Sequence, residues 1–115
     1  MAYATANLVL INNIGGKTGQ KWWLYDTVDA LATIYAAGYI SDAAAPATSP
    51  KGMEKGDIVF VRRWTTAVPA ANSEKLTAAG TANILVSQTI HNVLGISTAG
   101  AADLTDGLAI TITNT

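Results

Sequence analysis

The segment Ile58-Val59-Phe60-Val61-Arg62-Arg63-Trp64 constrains the fold more than any other stretch of the chain. Its first four residues are apolar at both phases of a strand's alternation. A strand with apolar side chains on both faces belongs in the middle of a sheet. Ile58, Phe60, Arg62 and Trp64 share one face; Val59, Val61 and Arg63 share the other. Ile58, Val59, Phe60 and Val61 are therefore expected in the core. Two neighbouring arginines cannot both be buried without partners, so the strand is expected to emerge from the core at Arg62-Arg63.

Other segments supply partners for this strand. Lys21-Trp22-Trp23-Leu24-Tyr25 is aromatic and strand-like, with Trp23 and Tyr25 on one face and Trp22 and Leu24 on the other. Asn7 to Ile14 is a short apolar run ending in polar residues, and residues 1–14 read equally as an extended N-terminal arm or as a first strand. Tyr39-Ile40-Ser41 reads as a short strand. Ala82 to Ser97 reads as two strands broken near Gln88 or Asn92, with Ile84, Val86, Ile90, Leu94 and Ile96 in one phase. Leu108 to Thr113 alternates cleanly, which places Leu108, Ile110 and Ile112 inward.

One helix is expected, over about 27–37. Asp26 or Thr27 suits its N-cap, and Asp29 suits the positive end of its dipole. Val28, Leu31, Ala32 and Tyr35 recur at the spacing of one buried face, and Gly38 fits the stop. A second helical turn is expected near Ser73 to Leu76. One helical period against five or more strand-like segments makes the fold mainly β: a small sandwich or barrel with one short helix. At 115 residues, the chain holds a single β-rich domain, over 15–115, beyond the N-terminal segment.

Composition narrows the function classes. Only 13% of residues are charged, about half the usual share. Lys and Arg number 7 against 8 Asp and Glu, which leaves no basic footprint for nucleic acid. The longest strongly apolar run, Leu8 to Ile11, is far short of the roughly 20 residues a bilayer demands, so no membrane partner is expected. There is no Cys, which removes thiolate chemistry and disulfides together. The 21 Ala and 15 Thr, with so little charge, describe a surface that repels its neighbours weakly. Such a surface suits a subunit packed into an assembly.

No catalytic set stands out. His91 is the lone histidine and has no carboxylate near it in sequence, so it reads as a strand histidine hydrogen-bonded to a polar neighbour. Gly15-Gly16-Lys17-Thr18 lacks the leading Gly of a phosphate loop, because Ile11 stands there. The aspartate pairs Asp26/Asp29 and Asp103/Asp106 sit where caps and turns place aspartates anyway. The chain reads as a non-enzyme with no cofactor and no metal. Arg62 and Trp64, with Trp22, Trp23 and Tyr25, are the residue types that dominate protein interfaces. They are the candidate partner-binding residues, joined by Leu8 and Leu10 of the N-terminal apolar run. The same aromatics also suit a sugar-stacking platform built from Trp22, Trp23 and Trp64.

The order of several short motifs adds a resemblance. They are Trp23-Leu24-Tyr25, Thr27-Val28-Asp29-Ala30, Ala37-Gly38-Tyr39-Ile40-Ser41-Asp42 and Gly52-Met53-Glu54-Lys55-Gly56-Asp57-Ile58-Val59-Phe60-Val61. Together with the Ala/Gly/Thr-rich stretch from Val93 to Thr113, this resembles the small capsid decoration (cement) proteins of tailed bacteriophages. The resemblance implies a virion structural protein on the capsid surface, made in the host cytoplasm. Its partner would be the major capsid protein, and the protein would act as a homo-oligomer, a dimer or trimer. The alternative is a receptor- or carbohydrate-binding module of a phage head or tail fibre.

Overall fold

The computed structural model describes residues 3–13, 19–69 and 84–110. Along the chain lie a 3-10 turn (Thr5–Asn7), β1 (Leu8–Asn13), β2 (Lys21–Thr27), α1 (Leu31–Ile34), β3 (Ile58–Trp64), β4 (Leu85–Ile96), β5 (Ala102–Leu104) and β6 (Leu108–Ile110). The chain is mainly β, and its six strands join in one mixed sheet. β3 is central, between β2 and β4, as its doubly apolar first half demands. β1 pairs antiparallel with β2, β2 parallel with β3, and β3 antiparallel with β4. The other edge of β4 carries β6 beside Gln88 to Ile90 and β5 beside Val93 to Ile96, as one interrupted hairpin.

The layer opposite the sheet comes from the crossover between β2 and β3, not from a second sheet. Ile34, Ile40, Ala43 and Met53 of that crossover pack on Trp23, Tyr25, Val59, Val61 and Val93. Leu8, Ala102 and Leu104 complete the core. Ile40 reaches Ala102 by a single bridge, which ties the crossover to β5.

Buried polar groups fix this layer to the strands. Asp57, 1% exposed, accepts hydrogen bonds from Lys21 N (3.1 Å), Trp23 Nε1 (3.2 Å) and Glu54 N (2.9 Å). One carboxylate therefore joins the start of β2, a core indole and the turn that feeds β3. A tyrosine cluster does the same for the N-terminal segment. Tyr39 donates its hydroxyl proton to Asp29, so Tyr25 donates to the Tyr39 oxygen (2.8 Å) while accepting from Ala4 N (3.0 Å). Tyr3 donates to Asp42 (2.6 Å). Burial first, then these carboxylate partners, push the Tyr3 and Tyr39 hydroxyls well above the usual tyrosine range.

Several expectations are corrected. The helix spans 31–34, one turn instead of 27–37. Thr27 is the last residue of β2, opposite Arg63. Its hydroxyl accepts from Asp29 N (3.0 Å), and the Asp29 carbonyl accepts from Arg63 Nε (2.8 Å). Ala30 stays extended at φ −70° and ψ 151°. These tertiary bonds outcompete helix formation at 28–30, where the local pattern favoured it. The buried helical residue is Ile34, while Ala32 is exposed.

β4 runs unbroken through Gln88 and Asn92. Both lie on the face turned from the core, opposite Arg62 and Ile58, where a polar side chain disrupts nothing. Its buried phase is Thr89, His91 and Val93, the opposite of the aliphatic phase. Leu108 and Ile110 do not point inward; they are 70% and 43% exposed. Residues 8–13 pair with β2 along the sheet edge. The turn expected near Ser73 to Leu76, the loop at Gly15 to Thr18 and the end of the last strand, 111–113, lie outside the described residues.

Candidate functional site

Strand register aligns one apolar residue from each of five strands. Val9 lies opposite Leu24, Leu24 beside Phe60, Phe60 opposite Ile90, and Ile90 opposite Leu108. Directly paired residues project on the same side of a sheet, so these five form a continuous row. The row lies on the face turned away from the core, and none of the five belongs to the core cluster. Its ends are open, with Val9 53% and Leu108 70% exposed, and its middle is half-buried.

Two further rows flank it. On one side stand Trp22, Ile58 and Asn92 in register. Trp22 meets Phe60 edge-on at 6.0 Å between ring centroids, and its indole donates to Gln20 Oε1 (2.7 Å). On the other side stand Asp26, Arg62, Gln88 and Ile110. Arg62 holds Asp26 through two parallel bonds, Nε to Oδ1 at 2.7 Å and Nη2 to Oδ2 at 2.8 Å. Trp64 donates its indole N–H to the same carboxylate (3.1 Å), and the guanidinium carbon lies 5.9 Å from its ring centroid. This end of the face is therefore charged but locally neutral.

The expected partner-binding residues divide between the two sides of the sheet. Arg62, Trp64 and Trp22 stand on the outer face. Leu8, Trp23 and Tyr25 are at most 3% exposed in the chain's own core, which corrects their assignment to a partner surface. They share the core phase of β1 and β2, and the crossover covers it. Leu10, opposite Trp23 in that phase, is 43% exposed because the core ends beneath it. The expectation that Arg62 awaits a partner's carboxylate is also corrected, because Asp26 supplies that carboxylate within the chain. Arg63 is satisfied by the Asp29 carbonyl and by Ser87 Oγ (3.2 Å). With both arginines partnered, β3 stays in the sheet through Trp64, which is 8% exposed.

Sequence reasoning missed the row itself. Phe60 was expected in the core and Leu108 inward, while Val9, Leu24 and Ile90 drew no assignment. The available signal was β3, apolar on two faces when only one face had a visible covering layer.

His91 belongs to the other side of the sheet. Its ring is fully buried, with Nδ1 2.7 Å from the Thr105 carbonyl and Nε2 2.7 Å from Thr89 Oγ1. The carbonyl can only accept, so Nδ1 carries the proton and Nε2 accepts from the threonine. Burial pushes the imidazole below its usual range, against weaker opposing effects of the Thr105 carbonyl and Asp106. Gly107, at φ +99°, lies directly against this ring, and a Cβ there would sit 2.6 Å from Cε1. Both ring nitrogens are thus committed to holding the 105–107 segment on β4. Among the described residues, no three His, Cys, Asp or Glu side chains converge as a metal site.

The arrangement offers a broad apolar surface, a neutral ion pair and no reacting group beside them. Its chemistry is adhesion to another surface. No protein-family model, no curated protein and no solved structure matches the chain.

Proposed function

We propose that this chain is a bacteriophage virion structural protein, a decoration (cement) protein that binds the outside of the major capsid protein shell and stabilises it. The observation that carries the reading is the Val9-Leu24-Phe60-Ile90-Leu108 row. The row crosses five strands on a face that stays outside the chain's own core cluster. Contiguous apolar surface of this kind marks a protein contact site. The low charge of the chain, 13%, lets many copies crowd together without strong repulsion.

The mechanism is adhesive. Subunits bridge neighbouring capsid proteins or one another, so opening a seam in the shell must also break decoration contacts. Repetition over a symmetric shell lets modest contacts sum to a large effect. The motif residues behind the phage resemblance act here as scaffold. Gly56-Asp57 makes the turn into β3, and Asp57 anchors Trp23. Their role is to hold the sheet flat beneath its outer face. The sugar-platform alternative draws no support from the geometry, because Trp23 is in the core and Trp64 is nearly covered.

The test is electron cryo-microscopy of the phage particle that carries the gene, with and without this chain. Density for the chain on the outer shell, and shells that rupture at lower temperature without it, are expected. A position in a tail fibre, or shells equally robust without it, overturns the reading.

A further inference from the structure

We propose that the outer face of the sheet is a homodimer interface, in which two copies pack sheet against sheet across a two-fold axis. The inference rests on the reading of this face as an adhesive surface and names its occupant, a second copy of the same chain.

Charge is the first argument. Asp26 and Arg62 are the charged residues in the three rows, and they neutralise each other through two bonds within the chain. A face with no net charge meets its own copy without repulsion. Both ions are already partnered, so covering them leaves no unpaired buried charge, the usual penalty in an interface. A foreign partner with a charged contact surface would find no free counter-charge here.

Shape is the second argument. Sheets stack face to face about 10 Å apart with strands inclined by about 30°. A row that crosses five strands, rotated by a two-fold axis, meets its own image at that inclination. Phe60 and Leu24, at the centre, then interdigitate with their copies, and Val9 and Leu108 close the two ends.

Area is the third. Five strands at about 4.8 Å spacing and three rows at about 6.7 Å intervals give a flat footprint of roughly 500 Å², before side-chain relief is counted. Relief brings this into the range of roughly 600–1,000 Å² per partner of a standard stable interface.

The experiment is sedimentation velocity of the purified full chain over a concentration series, compared with the double variant V9K/L108K. Both residues are more than half exposed, so the variant should fold, and its circular dichroism and melting curve check this. T98K, in the exposed turn between β4 and β5, is the control. The expected result is a dimer for the native chain and for T98K, with self-association of V9K/L108K weakened by about 100-fold or more. A native chain that stays monomeric throughout overturns the inference. A V9K/L108K protein that dimerises as tightly as the native chain overturns it too, because the interface then lies elsewhere. Attachment to capsids, measured separately by co-sedimentation with shells of the phage, tests the decoration reading. A native monomer whose attachment V9K/L108K abolishes assigns the face to the capsid protein and overturns the dimer alone. A native dimer that never attaches overturns the decoration reading alone.

Discussion

The two faces of this sheet are built from the same strands and differ in an unexpected way. The covered face holds Trp23, Tyr25, Val59 and Val61, but also Thr27, Asp57, Thr89 and His91, all at most 3% exposed. The uncovered face is nearly all apolar along its central row, yet half-exposed. Burial here follows what lies opposite the sheet, not the hydrophobicity of the side chains. The crossover layer brings backbone and side-chain partners with it, and those partners make polar burial tolerable. The outer face has no such layer and carries side chains that require no partners. That is the composition of a surface covered by another protein.

Adjacent tryptophans put this comparison to its severest test. Trp23→Ala opens a cavity in the core and strips Asp57 of an indole donor, so it should cost about 3–5 kcal/mol. Trp22→Ala, one residue away on the outer face, should cost about 1 kcal/mol in the isolated chain. Urea denaturation of the two variants measures the difference, and equal costs would break the distinction between the faces. Asp57→Asn comes next. It turns an amide donor toward the Trp23 and Glu54 N–H groups and should cost roughly 2–3 kcal/mol by the same measurement.

Phe60→Ala sharpens the point. As a core residue Phe60 would cost about 3–5 kcal/mol to truncate, whereas its half-exposed position predicts about 1–2 kcal/mol. The smallest effect is a pH dependence arising on the covered face. His91 is held below its ordinary pKa, so above about 6.5 it is neutral in both folded and unfolded chains and costs nothing. Below that, the unfolded chain takes up a proton that the folded chain resists. Stability should therefore fall as the pH drops through about 6.5 toward the folded value. In an NMR titration, the His91 ring protons should move only below the range of a free histidine. A midpoint at or above about 6.5 would contradict the buried, neutral ring.

The centrality of β3 and the pairing of Trp23 with Tyr25 were legible in the sequence, because alternation states which residues share a face. Alternation does not state which face is covered, and the errors follow from that gap. Leu108 and Ile110 alternate correctly, yet they stand opposite Ile90 and Gln88 on the open side. In β4 the aliphatic phase is the open one, and the covered phase contains a threonine and a histidine whose partners come from 105–107. The shortened helix has a similar origin. Its capping signals at Asp26 and Asp29 are real, but Arg62 and Tyr39 claim those carboxylates from a distance. The candidate site was legible only in Trp22, Arg62 and Trp64, because the apolar row exists only once five strands fall into register.

The parallel seam between β2 and β3 has a consequence for how the chain reaches its native state. The hairpin of β4 with β5 and β6 closes through a short turn at 97–101, and β1 reaches β2 within a few residues. No comparable local route leads from β2 to β3, because residues 28–57 must first be laid down between them. Non-local pairings of this kind pay loop-closure entropy before any contact rewards it, and they form slowly. Folding thus becomes the docking of two locally formed halves along one late seam. Until that seam closes, both apolar sides of β3 lack the neighbour strand that shields them. During synthesis at high copy number, this is the interval in which the chain is most prone to aggregate.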